Sequence, residues 1–270
     1  MKFLLSILTP LCVAALAAAR PPVGIAYYDV DRLYDTLPAL FYDDSDFTPD
    51  GRLHWTAERY ERKIGDIAAV IDSMALEIVA LWGVENEQVV RDLAAACHGD
   101  YSYIHRTLNS LDGLDFALLY FGDRFYPTRV VPGRRSLRID GELDGREVTL
   151  LLCADPRMAE WAIRKVREED SSALLLLGRT AIDDPGQWGL RDATDVAARA
   201  GRGTTRSARG TRWEMRDRIL ADTALRVEAC DVYARRYLLD PTSGAPRATY
   251  SGKAYRGGRG RSLPVYIYVW

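Results

Sequence analysis

Arginine is the residue type whose spacing points most clearly to chemistry in this chain. A guanidinium group forms paired hydrogen bonds to phosphate or carboxylate oxygens, so clustered arginines suit an anionic ligand. Two glycine-containing segments, residues 199–212 and 256–261, hold Arg199, Arg202, Arg206, Arg209, Arg212, Arg256, Arg259 and Arg261. If the fold brings both segments to one rim, they could grip phosphates. The alternative is that the first segment is a solvated, flexible loop.

The cysteine and histidine residues indicate less about the chemistry of this chain. After residue 19 the chain contains Cys97, Cys153 and Cys230, an odd number that cannot pair completely. One disulfide with a free thiol and three buried thiols both remain open. A nucleophilic Cys153 would need a neighbouring base or a positive field, and its apolar context favours a buried strand residue instead. His54 and His98 lie in polar segments without the spacing of metal ligands.

The composition indicates one folded domain after an export signal. The chain has 270 residues, of which 48% are hydrophobic and 27% are charged, and this suits a single α/β domain with a substantial core. The net charge of −2 does not by itself indicate a nucleic-acid binder.

The first 19 residues predict a signal peptide, because Lys2 precedes an apolar stretch and small residues precede Arg20. The apolar stretch is short for a membrane span. We therefore expect residues 20–270 to form the mature domain, to be exported (periplasmic, secreted or at the cell surface) and to lack a transmembrane span. A retained N-terminal anchor is the alternative.

Strand and helix patterns alternate along the mature chain. Thr56 and Asn86 are typical N-caps for two helices, and a third helix is predicted over residues 157–168. Residues 36–53 are predicted to form a loop. Apolar runs predict strands at 23–28, 78–82, 114–120, 135–139, 148–153, 173–177, 219–221, 225–229 and 264–269. Because several successive strands have no helix between them, the pattern favours mixed sheets over a doubly wound parallel sheet.

Several motifs lie on or between these elements. They include Phe47-Thr48-Pro49-Asp50-Gly51, the run Gly113-Leu114-Asp115-Phe116-Ala117-Leu118-Leu119-Tyr120, Trp213-x-Met215-x-Asp217-x-Ile219, and the closing run Arg259-Gly260-Arg261-Ser262-Leu263-Pro264-Val265. In these motifs the chain resembles secreted bacterial members of the endonuclease/exonuclease/phosphatase (DNase I-like) superfamily. The resemblance covers essentially the whole mature chain. It implies an α/β fold of the four-layer sandwich type, with two packed mixed β-sheets flanked by helices.

The resemblance also implies a chemistry that this chain has largely lost. Active members bind Mg²⁺ or a similar hard cation through carboxylates, and His–Asp and Asp–Asn pairs position or activate water for attack on a phosphate. The metal-binding Glu of the family corresponds to Gly83. An Asp and an Asn of a second motif correspond to Arg179 and Ala181, and the closing Asp-His pair corresponds to Arg261 and Ser262.

Some polar residues of the family site remain or have changed type. Asp217 is retained, but the His that it orients in active members is replaced, so we interpret Asp217 and His105 as catalytic remnants. Asp29 stands where the family has Asn. Glu85 lies two residues beyond Gly83, and the strand period of two would place it on the same face as a substitute metal ligand.

We expect Asp217 to form a salt bridge with Arg261 or Arg218. Relative to the family pattern, two Asp→Arg changes and one Glu→Gly change, offset by Asn→Asp at position 29, make the site four charges more positive. Such a site should repel a divalent cation, so no metal cofactor is expected. It could hold an anion through Arg179, Arg261 and Ser262.

Three hypotheses follow. The leading one is a catalytically degenerate member that binds a phosphate-containing or other anionic ligand, or a partner protein, in the former active-site cleft. The second is an active Mg²⁺-dependent phosphodiesterase or endonuclease with relocated metal ligands, drawn from Asp29, Asp31, Glu85, Asp155 and Asp217. The third is a purely structural domain of a surface assembly.

Overall fold

The computed structural model describes residues 20–108, 110–169, 172–207 and 209–270. The predicted signal peptide, residues 1–19, lies outside these ranges. None of the helices in the described ranges combines the length and apolar character needed to cross a bilayer.

The described residues form four α-helices and sixteen strands. The helices are α1 (Ala57–Met74), α2 (Glu87–Ala96), α3 (Ala159–Glu169) and α4 (Asp195–Arg199). The strands are β1 (Val23–Leu33), β2 (Ile78–Val84), β3 (Ser102–Arg106), β4 (Asp115–Tyr120), β5 (Phe125–Gly133), β6 (Ser136–Leu143), β7 (Arg146–Cys153), β8 (Ala173–Arg179), β9 (Leu190–Asp192), β10 (Thr205–Arg206), β11 (Trp213–Glu214), β12 (Asp217–Asp222), β13 (Val227–Val232), β14 (Tyr250–Ser251), β15 (Ala254–Tyr255) and β16 (Val265–Val269).

Two six-stranded mixed sheets form the centre of the fold. The first has the order β13-β16-β1-β2-β4-β3, and the second has the order β5-β6-β7-β8-β12-β9. β1 and β2 run parallel, as do β7 and β8, and the other neighbours within these sheets run antiparallel. The predicted four-layer α/β sandwich with mixed sheets is therefore confirmed.

Strand β8 shows how the layers assemble. Its residues alternate between two cores, since Leu175 and Leu177 join the main core between the sheets. Leu174 and Leu176 pack with α3 on the outer face of the second sheet. A strand covered on both faces needs a continuous apolar run, and this explains the leucine-rich sequence.

The sequence located the starts of two helices correctly. The Thr56 side chain accepts a hydrogen bond from the Arg59 amide at 3.4 Å, and the Asn86 side chain accepts one from the Val89 amide at 3.0 Å. The third helix begins at Ala159 rather than 157, because the Asp155 carboxylate first holds a turn by accepting from the Arg157 amide at 3.0 Å.

Two substantial strands were missed by the sequence prediction. β3 and β5 each lie at the edge of a sheet. Most β5 side chains are at least partly exposed, and this strand contains Pro127 and Pro132. Edge strands tolerate proline and need no continuous apolar face, so their sequences carry a weak strand signal.

The two sheets come close together where β1 passes β8. Gly178 has a φ of +122°, and a Cβ atom there would collide with the Cys153 carbonyl oxygen and lie 2.9 Å from the Tyr27 ring. Glycine is therefore required for the end of β8 to reach the end of β1.

Replacing Gly178 with alanine should destabilise the protein by about 3 kcal/mol or more, because the added methyl group clashes and the backbone is strained. Chemical denaturation measures the change. Gly65→Ala in α1 is the matched control, since a Cβ there meets nothing within 4 Å and should stabilise the helix by up to about 1 kcal/mol. Equal stability of the two variants would contradict the proposed close approach.

Candidate functional site

The floor of the candidate site is formed where β8 ends and β12 begins, beside Asp29 of β1. Arg179 and Asp217 are cross-strand partners in the β8–β12 pair. The Arg179 Nη2 atom donates to Asp29 Oδ2 at 2.6 Å, and its Nε atom lies 3.5 Å from Asp217 Oδ1. One guanidinium group therefore joins a carboxylate of the first sheet to a carboxylate of the second.

These charges are almost completely removed from water. The Asp29 and Asp217 side chains are 3% and 0% exposed, whereas that of Arg179 is 17% exposed. Burial, reinforced by the negative charge of Asp217 and opposed by Arg179, raises the pKa of Asp29 to about 6. The Tyr27 hydroxyl is also buried and has no hydrogen-bond partner among the described residues.

A strained bulge in β1 forms one side of the site. The residues Asp31 and Arg32 have φ values of 54° and 59°, and the pairing of β1 with β2 shifts register at this point. Lys63 of α1 stabilises the bulge, because its buried Nζ atom donates to the Asp31 carbonyl oxygen at 2.5 Å and to the Arg32 carbonyl oxygen at 3.2 Å. Burial alone would raise the pKa of Asp31, but Lys63 and the Thr249 amide hold it below its usual value.

Above this floor lies a small polar pocket with a volume of about 160 Å³. Five arginines line it against three aspartates, so guanidinium groups exceed carboxylates by two. Its lining consists of Asp29, Asp31, Arg32, Trp82, Gly83, Asp112, Leu114, Arg135, Arg179, Arg216 and Arg261.

Three of these arginines, Arg32, Arg216 and Arg261, have no carboxylate oxygen closer than 3.7 Å among the described residues. Arg216 makes no side-chain hydrogen bond or ion pair with the described residues. The Arg261 side chain is 53% exposed, and its nearest carboxylate atom, Asp31 Oδ1, is 3.7 Å from Nη1. Arg135 is more engaged, since it contacts Asp112 at 3.3 Å and stacks 4.9 Å from the centre of the Trp82 ring.

The structure brings part of the predicted site together. Arg179, Arg261 and Gly83 line one pocket, and Asp217 lies beneath Arg179. Ser262 is not in the pocket lining; it is buried, and its hydroxyl has no partner among the described residues. The expected salt bridge of Asp217 with Arg261 or Arg218 was wrong, because Arg218 instead pairs with Asp192 at 2.8 Å.

The strand period does not place Glu85, the candidate substitute metal ligand, in the pocket lining. Gly83 has a φ of +94°, and the β2–β4 pairing shifts register around it, so the strand period of two is broken. Glu85 instead accepts hydrogen bonds from Tyr42 Oη at 2.8 Å and from the Asp35 amide at 2.6 Å. Burial raises the pKa of Glu85 to about 7.

Two further candidates lie apart from the pocket lining. His105 Nε2 lies 3.2 Å from Asp115 Oδ2, and both residues are buried in neighbouring strands. Asp155 pairs with Arg157 at 3.0 Å. His105 is therefore a structural contact between β3 and β4 rather than part of the pocket.

The three cysteines of the described residues, Cys97, Cys153 and Cys230, are free thiols in the structure. Cys153 is buried, whereas Cys97 and Cys230 are half-buried. Burial raises the pKa of Cys153 to about 12, so its thiol stays protonated and is a poor nucleophile.

The arginines of the two arginine-rich segments lie in different surroundings. Of their arginines, Arg261 lines the pocket, whereas most others already have carboxylate partners. The first segment contains the end of α4 and the β10–β11 hairpin, so it is not simply a flexible loop. The paired residues are Arg199 with Asp195, Arg202 with Asp231, Arg212 with Glu214 and Arg259 with Asp66.

Sequence reasoning missed Arg216, Arg135 and Tyr27. Arg216 directly precedes the retained Asp217, and this adjacency was a usable signal. Arg135 had none, because it lies in the tight turn between β5 and β6 with a φ of 50°. Tyr27 was predicted only as one residue of an apolar, buried strand.

The residues at this site do not fit the divalent metal that active relatives use. Within the described ranges, no group of three or more His, Cys, Asp or Glu side chains could hold a metal ion. The two buried carboxylates at the floor already contact a guanidinium group, which carries the positive charge that a metal would supply.

The fold and this pocket define the class: a four-layer α/β sandwich with a polar pocket at the ends of its central strands. A model of the Endonuclease/Exonuclease/phosphatase family matches residues 24–154. Over this range, which is just under half of the 270-residue chain, the sequence is similar to that family. No curated protein matches the sequence.

Solved structures share the fold at low sequence identity. An endonuclease/exonuclease/phosphatase from Bacteroides vulgatus is 14% identical with a TM-score of 0.60, covering 93% of this chain and 99% of that chain. The mannosyl-6-phosphatase of Bacteroides thetaiotaomicron is 14% identical with a TM-score of 0.56, covering 92% and 99%. D. rerio TDP2 with a single-strand DNA product is 11% identical with a TM-score of 0.58, covering 92% and 98%.

The raised pKa of Asp29 should make stability depend on pH. The folded-state pKa of about 6 exceeds that of an unfolded-chain aspartate, about 3.9, so the folded state binds more protons between these values. The contribution of Asp29 to stability is therefore present below about pH 4 and lost, by about 2–3 kcal/mol, as the pH rises to 6.

Urea unfolding of the wild type and of Asp29→Asn between pH 4 and 7 measures this effect. The difference between their free energies of unfolding should change by about 2–3 kcal/mol across that range. Asp50→Asn, which removes an exposed carboxylate, is the matched control. A constant difference between the wild type and Asp29→Asn would show that Asp29 titrates normally.

Proposed function

We propose that this domain is a catalytically inactive member of its family that binds an oxyanion, such as a phosphate group, directly through arginine side chains. The observation that carries the proposal is the pocket in which five arginines meet three aspartates, with Arg216 and Arg261 lacking close carboxylate partners. A guanidinium group meets a phosphate with paired, charge-assisted hydrogen bonds and needs no bridging metal.

The dimensions of the pocket favour a single phosphate group over a whole nucleotide. A cavity of about 160 Å³ is smaller than the roughly 300–1,000 Å³ of pockets that enclose drug-sized ligands. The remainder of a larger ligand would lie outside. The structural likeness to a mannosyl-6-phosphatase and to TDP2 bound to a DNA product supports a phosphate-bearing ligand as the class.

Loss of catalysis is supported by what surrounds the pocket. The alternative with relocated metal ligands requires carboxylates that converge, but Glu85 and Asp155 are engaged elsewhere. Asp29 and Asp217 already contact Arg179. We also propose, from the predicted signal peptide alone, that the domain acts outside the cytoplasm.

Isothermal titration with inorganic phosphate, pyrophosphate and a short DNA strand should detect binding of at least one of these anions at low salt. Arg216→Ala and Arg261→Ala should each weaken it about tenfold or more, since a charge-assisted hydrogen bond contributes about 1.5–3 kcal/mol. Arg209→Ala, which removes an exposed arginine outside the pocket, controls for net charge. Equal weakening by Arg209→Ala, or no binding of any anion, would refute the pocket as an anion site.

Hydrolysis assays test the loss of catalysis. With Mg²⁺, Mn²⁺ or Ca²⁺ present, the protein should cleave neither DNA nor bis(p-nitrophenyl) phosphate above background, because the carboxylates needed for a metal do not converge. Cleavage that is abolished in Asp217→Ala would instead establish the active-enzyme alternative. Anion binding with no cleavage is the expected combination.

A further inference from the structure

We propose that Arg179 is a tethered counter-cation, which occupies the space where Asp29 and Asp217 would otherwise hold a divalent metal ion. Removing its side chain should turn the floor of the pocket into a cation site that the wild-type protein does not offer. This inference concerns the two buried carboxylates and is independent of the anion that Arg216 and Arg261 are proposed to bind.

The geometry places both carboxylates against one small group. The 2.6 Å contact to Asp29 Oδ2 and the 3.5 Å contact to Asp217 Oδ1 both come from the Arg179 guanidinium. The two carboxylates therefore face the same small volume from two different sheets. A hard cation such as Mn²⁺ or Mg²⁺ prefers carboxylate oxygens and completes its shell with water.

The state of Asp217 provides a second, independent observation. Its side chain is 0% exposed, yet neither of its oxygens receives a hydrogen bond from the described residues. No other ion pair of Asp217 lies within 4.0 Å among those residues. A buried carboxylate is costly unless a charge or hydrogen bonds compensate it, so Arg179 provides the close compensation.

The backbone holds Arg179 in this role. Arg179 follows Gly178, whose lack of a side chain allows β8 to approach Tyr27 of β1. Its register opposite Asp217 is set by the antiparallel β8–β12 pairing. The guanidinium group therefore belongs to the floor of the site, whereas Arg216 and Arg261 remain available above it.

A Mn²⁺ titration followed by thermal unfolding tests the proposal, using the wild type and Arg179→Ala. The melting temperature of Arg179→Ala should rise by roughly 5 °C at a hundredfold excess of Mn²⁺ over its Kd, and that of the wild type should not respond. Arg218→Ala, in which the neighbouring arginine loses its contact with Asp192, is the matched control and should not respond. The double variant Asp29→Asn/Arg179→Ala should lose the response.

Several outcomes would overturn the proposal: an equal Mn²⁺ response in the wild type, no response in a folded Arg179→Ala protein, or a response that survives Asp29→Asn. If Arg179→Ala is unfolded without metal, circular dichroism should show recovery of the fold on addition of Mn²⁺. The variant Asp29→Asn/Arg179→Met/Asp217→Asn, which removes all three charges together, should fold without metal. The proposed role of Arg179 would also be overturned if Mn²⁺ did not restore the fold of Arg179→Ala, or if the triple variant did not fold.

The anion titrations described above and the Mn²⁺ titration test different parts of the pocket. Loss of phosphate binding in Arg216→Ala and Arg261→Ala depends on the upper pocket, whereas the Mn²⁺ response depends on its floor. Either result can therefore fail without the other.

Discussion

The contact of Arg179 with Asp29 and Asp217 is the constraint on which the site depends. Two carboxylates approach each other at the seam between the sheets, where water does not reach them. Burying them together without a cation would cost several kcal/mol. Metal-dependent relatives meet a comparable demand with a divalent ion, whereas this chain meets it with a side chain of its own. The glycine before Arg179 and the bulge after Asp29 both serve to place these groups.

This arrangement separates two roles that arginine can take in one pocket. Arg179 is committed to the carboxylates and contributes mainly to the integrity of the floor. Arg216 has no carboxylate partner among the described residues, and Arg261 has only the 3.7 Å contact with Asp31. The positive excess of the pocket therefore does not come from a uniform basic surface. It arises because five arginines share three aspartates in the pocket lining, and this excess supports anion binding in place of metal binding.

The predictable parts of this protein were those with strong local signals. Strands covered on both faces, such as β8, showed continuous apolar runs, and Thr56 and Asn86 marked helix starts through local hydrogen bonds. The edge strands β3 and β5 lacked such signals. At the site, the sequence motifs located Arg179, Arg261 and Asp217. They did not show that Arg179 is the ion-pair partner of Asp217. Glu85 was misplaced, because a positive φ at Gly83 interrupts the strand period.

The sequence by itself indicated the family likeness, the four-layer fold and the arginines that stand at motif positions, because each of these depends on residue identity along the chain. The tertiary structure decided which arginine neutralises the buried carboxylates and which ones remain free. It also added Arg216 and Arg135 to the pocket. These outcomes depend on distances between strand ends that are up to 188 residues apart in the chain, such as Asp29 and Asp217, and local sequence patterns carry no record of such distances.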